Sequence, residues 1–78
     1  MNKAVYHHNE GKKPRITFKD AKNMPCEISQ GAFFDGPILT ISRVSGWPTT
    51  LTQESAGQMA KILAHFAKTG KIPNDPTI

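Results

Sequence analysis

The stretch that decides the fold is PILTISRVSGWPTTLTQESAGQMAKILAHFAKTGKIP, residues 37–73. Its second half has the markers of a helix over 53–69. Thr52 is a good N-cap, because its hydroxyl can accept from an N–H of the first turn that has no partner within the helix. Thr50 with Gln53 offers a rival capping box. Glu54 sets a negative charge at the positive end of the helix dipole, and Lys68 and Lys71 sit at its negative end. Ala56, Met59, Leu63, Phe66 and Ala67 recur at i, i+3, i+4 spacing, and Ile62 widens the stripe. Gly70 is placed to take the left-handed conformation beyond the last turn, and Pro73 forbids continuation.

The first half reads as a strand over 38–44. Leu39 and Ile41 face one way and Ile38, Thr40 and Ser42 the other. The Asp35-Gly36 pair before it suits a two-residue type I′ hairpin turn. Pro37 lacks an N–H, which places that end of the hairpin at a sheet edge. Ser45-Gly46 makes a further turn before Trp47 and Pro48.

Upstream, residues 15–20 (RITFKD) alternate. Ile16 and Phe18 point one way, and Arg15, Thr17 and Lys19 the other, the pattern of a half-buried strand with a basic outer face. Residues 4–8 form a further short strand, followed by the turn-like Asn9, Glu10 and Gly11. Residues 26–34 form a weaker one, with Gly31 marking a bulge or break. The expected fold class is α+β: a small antiparallel β-sheet of three to five strands with one C-terminal amphipathic helix packed on one face. Residues 1–72 make a single compact domain, and 73–78 a short proline-containing tail. The core is expected at Phe18, Ile28, Phe34, Leu39, Ile41, Leu63 and Phe66.

At 78 residues the chain has room for one core and needs most of its apolar side chains there. The composition is 37% apolar and 21% charged, which suits a soluble globular domain rather than a disordered segment. No apolar run approaches the roughly 18 residues that span a bilayer. The first residues lack the apolar stretch of a signal peptide, so a cytoplasmic location is expected. Cys26 is the sole cysteine, which rules out an intrachain disulfide and suits a small buried hydrophobe.

The residues offer little chemistry. Adjacent His7 and His8 point to opposite sides of a strand, and one cysteine provides no Cys/His zinc spacing. Ser42, His65 and Asp35 could be assembled into a triad, yet no nucleophile elbow supports one. Gly11-Lys12-Lys13 lacks the rest of a phosphate-binding loop. His65 lies at the boundary of the apolar stripe. A chain this small has little volume for a pocket beside its core. The reading is of a non-enzyme, with no catalytic residue, no metal and no cofactor.

The net charge of +4 is uneven. Residues 1–25 hold Lys3, Lys12, Lys13, Arg15, Lys19 and Lys22 against Glu10 and Asp20, and the remainder is neutral. A positive field attracts anionic surfaces, so Lys12, Lys13, Arg15, Lys19 and Lys22 form a candidate partner-binding stripe. Tyr6, Phe33 and Trp47 could stack on bases. Trp47, in a turn, is equally an interface anchor or a lid on the core. Gly57 and Lys61 lie on the outer helix face, where Gly57, Ala60 and Ala64 would admit a second backbone, including another copy of the chain. A protein partner is the first expectation, with sequence-nonspecific nucleic-acid binding through the basic stripe as the alternative. By size class alone, the chain is expected to block or modulate a larger complex, one of host defence or nucleic-acid handling among the candidates. Phage and mobile-element inhibitors such as anti-CRISPR proteins do so.

Overall fold

The computed structural model describes residues 4–7, 14–43, 46 and 48–74. Four strands, β1 (Val5–His7), β2 (Arg15–Lys19), β3 (Pro25–Phe33) and β4 (Gly36–Arg43), precede one helix, α1 (Gln53–Thr69). The strands form an antiparallel meander in the order β1-β2-β3-β4. The fold is therefore the expected α+β arrangement, with β4 as one sheet edge and Pro37 on it.

Cross-strand pairing sorts the side chains onto two faces. Tyr6 pairs with Ile16, Ile16 with Ile28, and Ile28 with Ile41. Phe18 pairs with Cys26 and Cys26 with Arg43, while Gln30 pairs with Leu39. Because side chains alternate along a strand, all of these share one face. The core on that face comprises Ile16, Phe18, Cys26 and Ile28, closed by Met59, Ile62 and Ile72. Ala4, Tyr6, Leu39, Leu51 and Phe66 pack around it. Cys26 is buried, as a small hydrophobe should be.

The helix ends follow the local signals. Thr52 accepts the Ser55 N–H at 3.0 Å, so Thr52 and not Thr50 is the cap. Gly70 has φ +72 and donates its N–H to the Phe66 carbonyl at 2.7 Å. The buried face, however, is rotated from the expected stripe. It runs through Ser55, Met59 and Ile62, with Phe66 half-buried. Ala56 and Ala67 are exposed, and Leu63 is 41% exposed. Tertiary ties at both ends explain the rotation. Asp20 and Ala21 hold Thr50 just before the helix, and the Gln30 side chain accepts the Ile72 N–H at 3.0 Å just after it. Ser55 tolerates burial because its Oγ accepts a hydrogen bond from the Thr52 hydroxyl at 3.0 Å.

Four further expectations are corrected. Gly31 pairs with Ile38 in an unbroken register from Cys26↔Arg43 to Phe33↔Gly36, so it marks neither a bulge nor a break. That register makes Phe34 and Asp35 the two turn residues, one position earlier than expected. Neither has positive φ, which excludes a type I′ turn, and Gly36 takes φ +121 after them. Phe34 consequently leaves the core for the hairpin tip, where it is 99% exposed. Ile41 lies on the helix side of the sheet but on its edge strand, and remains 40% exposed. Ile72 and Pro73 are buried, and residues 75–78 lie outside the described part.

Candidate interaction surfaces

The face of the sheet opposite α1 carries no second layer among the described residues. It displays Val5 and His7 from β1, Arg15, Thr17 and Lys19 from β2, Glu27 and Ser29 from β3, and Thr40 and Ser42 from β4. Arg15, Thr17 and Lys19 thus share the outer face that alternation predicts. The basic stripe is nevertheless partly neutralised. Arg15 Nε lies 3.2 Å from Glu27 Oε1, one register step across the sheet. His7 Nε2 and Thr17 Oγ1 share a 3.0 Å hydrogen bond. Lys19 and Lys22 are exposed, Lys22 in the β2–β3 loop. Lys12, Lys13 and Trp47 lie outside the described residues, as does His8.

On the helix, Gly57 and Lys61 are exposed. A Cβ built at Gly57 would meet nothing within 4 Å, so no close approach within the chain requires glycine there. The three members of the conceivable triad are not brought together. Ser42 is on the open face, His65 is half-buried on α1 across the sheet, and Asp35 is in the hairpin turn. No group of three or more His, Cys, Asp and Glu side chains that could hold a metal ion occurs among the described residues. No helix there is long and apolar enough to cross a membrane.

An open cleft of ≈ 750 Å³, larger than a chain of this length suggested, lies between the β2–β3 loop and the first turn of α1. It is lined by Lys19, Asp20, Ala21, Asn23 and residues 52–55. Its one buried acid is already committed. Asp20 Oδ1 accepts the backbone N–H groups of Lys22 and Met24 at 3.0 and 3.1 Å, and Oδ2 accepts that of Thr50 at 3.2 Å. Arg43 Nε is 3.8 Å from Oδ2, and the Arg43 guanidinium also donates to the Pro48 carbonyl at 3.1 Å. Burial works to raise the Asp20 pKa. The hydrogen bonds from Met24, Thr50 and Lys22, together with the Arg43 charge, outweigh it and hold the carboxyl below its ordinary value. Asp20 is therefore a knot joining three segments, and its side chain has no exposed surface. Sequence reading used Asp20 only as a charge. The available signal was an Asp at a strand end, two residues before Lys22, the spacing of an Asx turn.

The tip of the β3–β4 hairpin was read only in half, with Phe33 as a candidate stacking surface and Phe34 as core. Phe33 is 66% and Phe34 99% exposed, with their rings edge-to-face at 5.7 Å between centroids. Two adjacent aromatic rings left mostly in water at a hairpin tip bring little benefit to the fold, least of all Phe34.

No protein-family model matches the chain, and no curated protein or solved structure resembles it at a significant level.

Proposed function

We propose that this chain is a non-enzymatic, cytoplasmic protein-binding module that occludes a surface of a larger complex, using the Phe33–Phe34 tip as its anchor. One observation carries this reading: the two largest exposed apolar side chains of the described residues are neighbours at the β3–β4 hairpin tip, Phe33 ending β3 and Phe34 opening the turn. Aromatic side chains presented this way are the usual energetic centre of a protein interface, because burying one ring in a partner's pocket removes a large apolar area from water at low entropic cost. The partner surface is accordingly an apolar pocket. At longer range, the net charge of +4 favours an acidic partner. Blocking of a host or nucleic-acid-handling assembly remains the proposed biological role.

The experiment is photocrosslinking from position 34 in a bacterial lysate, with Phe33→Ser/Phe34→Ser protein as competitor. A stoichiometric adduct that wild-type chain competes away and the double variant does not supports the reading. Equal competition by both overturns it. Titration with labelled DNA and RNA at low salt tests the nucleic-acid alternative. Binding that falls steeply with salt and is lost in Arg15→Glu/Lys19→Glu would favour phosphate contacts over the hairpin tip.

A further inference from the structure

We infer that the outer edge of β4, with the helix flank beside it, is a dimerisation surface for a second copy of this chain. The edge is defined by main-chain direction. Gln30 donates its N–H to the Pro14 carbonyl at 3.2 Å, so its main-chain groups face β2. Antiparallel alternation then turns those of Glu27, Ser29 and Gly31 toward β4, and their partners Ser42, Thr40 and Ile38 back toward β3. The main-chain groups of Leu39 and Ile41 are left facing outward, where none of the described strands pairs with them.

The helix flank above this edge is identified by Gly70. A Cβ there would lie 3.0 Å from Pro37 Cγ, so the Gly70 side of α1 faces β4. Leu63 and Ala56 are seven and fourteen residues earlier and share that side. Leu63 is 41% and Ile41 40% exposed, one on each layer of the same flank. Soluble proteins protect a sheet edge with lysines, prolines, bulges or short strands. Among the described strands, β1 is short, whereas β4 has eight residues in regular register and only Pro37 as protection, near one end.

Charge and shape select a second copy as the occupant. β4 carries no charge before Arg43, whose guanidinium is engaged by Asp20 and Pro48, and Ala56, Ala60, Leu63 and Ala67 are uncharged. Two chains can therefore meet here without like charges in contact, and the exposed Lys19 of β2 lies two strands away from this edge. Pairing about a two-fold axis at Thr40 sets Leu39 opposite Ile41 of the second copy, so the outward donors and acceptors satisfy one another and the apolar side chains meet beneath the two helices. The eight residues of β4 and seventeen of α1 each run about 25 Å, and layers about 10 Å apart make the flank roughly 20 Å wide. That is about 500 Å² per copy, or about 1,000 Å² in the pair, the size at which specific interfaces begin. The surface is separate from the Phe33–Phe34 tip, so either assignment can fail alone.

The test is light scattering across a concentration series, combined with amide exchange read at Leu39 and Ile41. The expected mass rises from 8.6 kDa toward twice that value, and both amides slow in step with it. Ile41→Lys and, independently, the fully surface change Ala60→Glu should abolish both effects. Val5→Lys on the opposite edge should leave them intact. A mass of 8.6 kDa at every concentration overturns the inference, as does a dimer that survives Ala60→Glu or is lost in Val5→Lys.

Discussion

The carboxylate of Asp20 accepts the backbone N–H of Thr50 at 3.2 Å, joining the end of β2 to the approach to α1 across thirty residues of sequence. With its pKa held below 3.8, the charged form favours the folded state. The sign follows from linkage: a depressed folded pKa means that the unfolded chain binds the proton more readily. The contribution is fully present above the ordinary carboxylate value and is lost as pH falls through the lowered folded value. Denaturant unfolding as a function of pH should show Asp20→Asn less stable than wild type at neutral pH. The gap should narrow below 3.8, because only the wild type loses a charged knot there.

The rotation of α1 has a direct stability signature. Ile62 is fully buried and Leu63 is 41% exposed, although both are apolar neighbours on the helix. Ile62→Ala should cost about 2–5 kcal/mol through lost burial and the cavity left behind. Leu63→Ala should cost less than half as much, by equilibrium urea unfolding. The expected stripe centred on Leu63 would have reversed that order.

Both ends of the helix can be tested separately. Thr52→Ala removes the acceptor of the Ser55 N–H and should cost about 1 kcal/mol, whereas Thr50→Ala should have little effect on the cap. Gly70→Ala should cost about 1–2 kcal/mol for the left-handed backbone alone. A further loss follows from crowding Pro37, which a companion Pro37→Ala change should relieve. Thermal or urea unfolding of the double variant measures that relief.

Phe34→Ser should leave stability within about 0.5 kcal/mol of wild type, because the ring is already in water. A large loss on urea unfolding would show that Phe34 packs within the fold, and would remove the basis for assigning the tip to a partner.

The strands, the helix and its caps were legible in the sequence because their causes are local. Alternation in RITFKD, the Thr52 hydroxyl and the Gly70 backbone each act within a few residues. The candidate surfaces were legible only in part. Lys19, Lys22, Gly57 and Lys61 are exposed as their types suggest. No local pattern, however, tells that Arg15 meets Glu27 or that Arg43 reaches Asp20, since those pairs depend on register and on loops closing in space. Phe34 is the sharpest case. Shifting the turn by one residue moves it from an inward strand position to the tip, and the difference of one residue is a matter of pairing energy along the whole of β3 and β4.

By itself, then, the sequence determined that this is an α+β chain of three to five strands and one well-capped C-terminal helix, with a basic first third. Tertiary structure alone decided which helix side is buried, which hydrophobic side chains are left in water, and that Asp20 is a structural knot. The physical reason is that helix rotation and strand register are collective quantities. They are set by end-to-end ties such as Asp20 to Thr50 and Gln30 to Ile72, and no single residue's preference encodes them.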